Sequence, residues 1–92
     1  MYLEIVTPEA SLVSGEVESV TVPGVNGEFQ MLNNHAAIVS LLKAGKVKFE
    51  GELEFSEGFE DKFTKDEDGK WILEISSGTI EMNNNKVIVL AD

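Results

Sequence analysis

The chain has no cysteine among its 92 residues, which excludes a disulfide framework and any thiolate metal site. It has one histidine, His35, and two prolines. A metal centre would therefore rest on carboxylates and a single imidazole, a poor donor set. A general base at His35 lacks an assignable nucleophile or orienting acid. There is no phosphate-cradling glycine loop and no Gly-x-Ser-x-Gly elbow. These absences argue against an enzyme and imply no cofactor. Basic residues are also scarce: 7 against 17 acidic ones, for a net charge of −10. Nucleic-acid backbones and anionic lipid need a positive surface, so neither nucleic acid nor direct lipid insertion fits. The longest apolar run, Ala36 to Leu42 with Ser40 inside it, falls far short of the ~20 residues of a membrane helix. Strand-like sequence follows Met1 directly, with no basic n-region or signal-peptide core. The expectation is a cytosolic protein of bacterial type that meets a membrane only through partners.

What is present is a chain of short apolar runs separated by turn signals. The length suits a single domain over residues 1–92, burying roughly 60–65% of its unfolded surface. Between Ser19 and Val47 stand Pro23-Gly24, Asn26-Gly27 and Asn33-Asn34, dipeptides that supply the fixed or positive φ of tight turns. The runs between them have room only for strands. Tyr2 to Val6 reads as a first strand, broken at Thr7-Pro8-Glu9. Leu12-Val13 and Val17 to Val22 read as a second strand, interrupted near Gly15. Val17 is out of phase with Val20 and Val22, which predicts a bulge or a change of face. His35 is read as structural or interfacial, hydrogen-bonding its turn. Ala36 to Lys43 is ambiguous: Ile38, Leu41 and Leu42 have helical spacing, but the flanking turns favour a strand buried on both faces.

Lys46 to Phe55 shows the clearest alternation. Val47, Phe49, Leu53 and Phe55 share one face with Gly51, and lysines and glutamates share the other. Gly51 mid-strand predicts a bend. From Glu50 to Asp68 nine acidic residues face Lys62 and Lys65. This stretch reads as a solvated, self-repelling segment or an acidic docking surface. Phe59 and Phe63 are spaced for one helical turn or anchor a β-hairpin arm, the arm being favoured. Trp71 to Ile75, Thr79 to Met82 and Val87 to Leu90 complete the set. About eight to ten short strands and no strong helix predict an all-β fold, an antiparallel β-sandwich or flattened barrel.

The string V-P-G-x-x-G-E-F-x-x-L-x-x-H-A-x-x-V-S-x-L-K-x-G, from Val22 to Gly45, resembles the signature of the epsilon subunit of F-type ATP synthases, whose mitochondrial counterpart is called delta. The opening Leu3 to Glu9 with Ser14-Gly15 and Val17 is similar to that family's start. Ile75 to Gly78, Ile80 to Met82 and Val87 to Asp92 are similar to the end of its β domain. The likeness covers roughly residues 1–49 and 71–92 and is poor between 50 and 70.

The resemblance implies a non-catalytic rotor subunit of the central stalk. Such a subunit links gamma to the membrane c-ring and so couples rotation to ATP synthesis. It implies gamma and the c-ring as partners, and the α/β hexamer indirectly, at the cytoplasmic face of a bacterial inner membrane. The ring side would be Gly27, Glu28 and Phe29 with the turn at Asn33 and Asn34. The gamma side would be Thr7, His35, Ala36, Ala37, Ile38, Val39 and Leu42. The family often has proline where this chain has Asn33 and Ala37. Many members continue into two C-terminal helices. This chain stops at Leu90-Ala91-Asp92, so the resemblance implies a short form with the C-terminal helical domain absent. Two other classes stand beside this one. A free-standing β-sandwich module for protein or ligand would show exposed aromatics in a groove. A small hydrolase would need a partner for His35.

Overall fold

The computed structural model describes residues 1–92. It has nine strands: β1 (Tyr2–Val6), β2 (Ser11–Gly24), β3 (Gly27–Leu32), β4 (Ile38–Leu42), β5 (Gly45–Phe55), β6 (Phe63–Lys65), β7 (Trp71–Ile75), β8 (Gly78–Asn83) and β9 (Lys86–Ala91). The only helical piece is a single 3-10 turn at Glu60–Lys62.

Strand β2 organises the sheet. Its first half pairs with β1, and its second half, from Ser19, pairs with β3. Its other edge pairs with β5 from Val13 to Thr21, and Gly24 meets Leu42 of β4. From β1 the order runs through β9 and β8 to β4, which returns to β2, while β7 and β6 extend the sheet beyond β5. The sheet thus closes into the flattened barrel that the strand and turn pattern predicts. Every pairing is antiparallel except β1 with β9, which is parallel. Parallel neighbours need a long connection, and here nearly the whole chain lies between them.

Strand β2 passes from one partner to the next at a bulge. Val17 and Ser19 oppose consecutive residues of β5, leaving Glu18 unpaired and exposed. The slip changes phase, so Val13 and Val17 face inward before it, and Val20 and Val22 face inward after it. This is the phase change visible in the sequence. Gly51 sits opposite Val17 on β5. A Cβ there would lie 2.6 Å from Val17 Cα and against the Glu16 carbonyl, contacts that backbone cannot yield cheaply. Gly51→Ala is accordingly expected to cost about 1–3 kcal/mol, the range for overpacking a fitted interior, read as a lower urea midpoint at unchanged slope.

The core draws on every layer: Leu3 and Ile5, Val20 and Val22, Met31, Val47 and Phe49, Ile80 and Met82, Val87 and Val89 are essentially inaccessible. The acidic segment is anchored to it by aromatics. Phe63 is buried, and its ring meets Phe49 at 6.0 Å and Phe55 at 4.7 Å, edge-on. Phe55 also packs on Trp71 at 4.7 Å. Both readings of Phe59 and Phe63 hold in part. One 3-10 turn separates them, and Phe63 then opens β6, which pairs antiparallel with β7 as the arm. Most of the segment's carboxylates are exposed, whereas Asp66 is half-buried and accepts the N–H groups of Asp68 and Lys70.

One element departs from its sequence reading. The structure covers only one face of β4. Leu42 is buried, and Ile38 and Ser40 are half-buried, whereas Val39 and Leu41 are 75% and 62% exposed. Hydrophobicity alone made this strand read as covered on both faces, but no helix or second sheet lies over the outer one.

Candidate partner-binding site

The register of the closed sheet builds an apolar strip on its outer surface. Leu41 of β4 lies opposite Thr79 of β8, Thr79 opposite Leu90 of β9, and Leu90 opposite Val6 of β1. Neighbouring strands lie ~4.8 Å apart, so these four side chains form one continuous row. The adjacent row is Val39, Glu81, Ile88 and Glu4. Strand alternation explains both rows: their neighbours Leu42, Ile80, Val89 and Ile5 are the buried set. The β2–β3 turn folds Val25 over the end of the first row, its N–H donating to the Leu41 carbonyl at 3.2 Å. Val25 and Leu90 are about half exposed.

The sequence-predicted gamma-side residues divide between the two ends of this surface. Thr7 caps its own turn. Its hydroxyl donates to the Ala10 carbonyl at 3.3 Å and accepts from the N–H groups of Glu9 and Ala10. It borders a shallow depression with Val6, Pro8 and Leu90. His35, Ala36 and Ala37 are exposed at the other end, before β4. His35 Nδ1 lies 2.7 Å from the Ala36 carbonyl, to which it donates in the tautomer that protonates this nitrogen. Ala37, Ile38 and Val39 line a second depression beside Glu81. Leu42 is corrected: at 4% exposure it is a core residue and has no surface to offer. The exposed apolar side chains near it are Leu41, Leu90 and Val25. The period-two alternation of β4 and β9 was the signal that could have found the first two.

The predicted ring-side residues are not together either. Glu28 and Asn33 stand at the two ends of β3, about 17 Å apart at 3.4 Å per residue. Glu28, at the start of β3, is exposed and shares a shallow cleft with Lys48 and Lys70. Phe29 packs against the core. Asn33 and Asn34 belong instead to a polar knot. The Met1 α-amino group donates to Asn33 Oδ1 at 2.8 Å, and Asn85 Nδ2 donates to the same oxygen at 3.0 Å. The Asn34 N–H donates to Asn85 Oδ1 at 2.8 Å. Asn34, Asn84 and Asn85 all have positive φ, 51° to 63°, a region asparagine tolerates through local hydrogen bonds. The knot ties the β3–β4 turn to the β8–β9 turn and so holds His35 to Ala37 in place. Asn85→Ala should cost about 1–2 kcal/mol, from the lost bonds and the left-handed backbone. Asn85→Gly should keep the turn but free the loop. Hydrogen exchange at residues 33–37 is expected to quicken in both variants, with the larger drop in midpoint in the alanine one.

The largest surface cleft, about 450 Å³, lies elsewhere, between Thr7, Leu12 and strand β7. Lys62, Glu74 and Asp92 are among its lining residues, it contains no histidine, and it is open to solvent. No group of three metal-ligating side chains converges anywhere in the chain, and no helix is long and apolar enough to cross a membrane.

The apolar strip thus sits on a mixed, closed sheet whose signature turns link β2, β3 and β4. The family model for the β-sandwich domain of the ATP synthase delta/epsilon chain matches residues 1–59. The chain belongs to this family. Among delta/epsilon relatives, the ATP synthase epsilon chain of Chlorobaculum tepidum is 40% identical over 90 residues, covering 98% of this chain and 86% of that one. The epsilon chain of Campylobacter concisus is 38% identical over 92 residues. That alignment takes in all of this chain but spans only 60% of the longer relative. These alignments also run through the acidic middle, where the motifs are weakest. In fold, a chain of the Euglena gracilis mitochondrial ATP synthase superposes with a TM-score of 0.72 at 22% identity, over 97% of this chain and 48% of that one.

Proposed function

We propose that this delta/epsilon chain is a non-catalytic rotor component of an ATP synthase central stalk. In this reading the outer β1–β9–β8–β4 face grips gamma. Because Glu28 and Asn33 lie at opposite ends of β3, the end-on contact with the c-ring falls to the turn at Gly27 and Glu28. Asn33 and Asn34 support the gamma side by holding His35 to Ala37. The domain then makes stalk and ring turn together and couples rotation to proton flow. It is held at the cytoplasmic face of a bacterial inner membrane by gamma and the ring, with the α/β hexamer as an indirect partner.

The observation that carries this reading is the exposure of Val39, Leu41 and Leu90 in one patch of a domain with net charge −10. Family membership supports gamma as the partner that such a patch would meet. A standard interface covers roughly 800 Å² per partner around an apolar centre, a modest share of the 5313 Å² this domain exposes. A groove-binding module fits less well. Phe49 and Phe63 are buried, and Phe55 and Trp71 pack on each other, leaving no aromatic platform.

The test is affinity capture of the tagged chain from its own cells. Co-purification of gamma with the α/β hexamer is expected, and its absence in a stable, folded preparation would overturn the proposal.

A further inference from the structure

We propose that the Asn26-Gly27 peptide is a site of spontaneous deamidation, a self-modification that converts the β2–β3 turn to aspartate and isoaspartate. Asn26 and Gly27 are both exposed at the tip of the turn joining Gly24 to its paired residue Gly27. Gly27 has φ 127°, and no heavy atom lies within 4 Å of where its Cβ would be. Glycine there puts no side chain beside the attacking backbone nitrogen. Exposed loop tips are also where local opening costs least.

The chemistry follows from that placement. The Gly27 backbone nitrogen attacks the side-chain carbonyl carbon of Asn26. The new C–N bond closes a five-membered succinimide, and ammonia leaves, carrying the proton lost by the Gly27 nitrogen. Water then adds to one of the two ring carbonyls and opens the ring to aspartate or to isoaspartate. One water enters and one ammonia departs, with no oxidant or cofactor.

The chain's other asparagines are poorly placed for this reaction. Asn33, Asn34, Asn83, Asn84 and Asn85 are each followed by a residue with a side chain that crowds the attacking nitrogen. The side-chain amides of Asn33 and Asn85 are also held in the polar knot. At Asp68-Gly69 the following residue is again glycine, but an ionised carboxylate is a poor electrophile. Reaction at Asn26 sets a new negative charge beside Glu28. The isoaspartate form also inserts a methylene into the backbone of a turn with only two residues between its paired glycines, which displaces Glu28. None of this depends on the partner assigned above.

The experiment ages the full purified chain at mildly alkaline pH, which favours the nucleophilic amide nitrogen. It follows peptide masses and counts isoaspartate by methyl transfer from labelled S-adenosylmethionine with an isoaspartate methyltransferase. Asn26 is expected to exchange its amide for a carboxylate before any other asparagine. The methyl label is expected in the peptide holding residues 26 and 27, and to be lost in Asn26→Gln and equally in Asn26→Ser. Circular dichroism should show both variants folded like the parent. The proposal is overturned if Asn26 keeps its amide while Asn33, Asn34 or Asn83–Asn85 react, or if the folded variants accumulate label as fast as the parent.

Discussion

Replacing Val39 and Leu41 together by aspartate is expected to abolish capture of gamma while leaving a folded domain. Both side chains project from the outer face of β4, 75% and 62% exposed, so neither carboxylate enters the core. Aspartate fits strands poorly, which costs up to about 1 kcal/mol per position. A 92-residue domain with roughly 0.05–0.15 kcal/mol of stability per residue can absorb that. At the centre of an interface the same change removes apolar contact and forces an ionised group out of water. Hot-spot positions lose about 2 kcal/mol or more on truncation, roughly thirty-fold in affinity each, and a desolvated charge adds to this. Binding to purified gamma measured by calorimetry, beside a thermal melt of the free chain, separates the two effects. Parent-like affinity in a folded double variant would remove this face from the proposed stalk contact. Leu42→Asp cannot serve as the same test, because it places a charge in the core and unfolds the domain whatever partner exists.

Phe49→Ala is expected to be the most damaging single truncation in the chain. Phe49 is fully buried at the junction of β5 with β2 and β7, opposite Val20 and Trp71. Its ring also meets Phe63 at 6.0 Å, so it supports the aromatic anchor of the acidic arm. Buried phenylalanine to alanine costs about 3–5 kcal/mol, against a total of roughly 5–14 kcal/mol for a domain of this length. Roughly a fifth or more of the stability should disappear, seen as a large fall in urea midpoint. Trp71→Ala acts on a side chain that is only half buried. It should lower the midpoint less, but it should expose the β6–β7 arm to proteolysis, since it removes Phe55's other edge contact and the cation–π partner of Lys65. A Phe49→Ala variant as stable as the parent would show that the core is not organised around this ring.

Much of this domain could be read along the chain, because its signals are local. Asn-Gly and Asn-Asn mark turns through backbone dihedrals that few other residues accept. The phase change between Val17 and Val20 marked the bulge because a period-two strand cannot change faces without an extra residue. Alternation from Lys46 to Phe55 separated core from solvent in β5, and the Val22–Gly45 motif carried the family. Three things were settled only by tertiary structure. Alternation divides β4 into two faces, but which of them is covered depends on what packs there. Only the folded sheet buried Leu42 and left Val39 and Leu41 outside. The parallel pairing of β1 with β9 has no local signal, since no turn joins them; it alone brings Val6 and Thr7 beside Leu90. The separation of Glu28 from Asn33 follows from the extended run of β3 between them, which ends at Leu32, a distance that motif spacing does not reveal until the strand exists. Sequence determined where the chain turns and which residues alternate; packing between distant strands decided which of them a partner can touch.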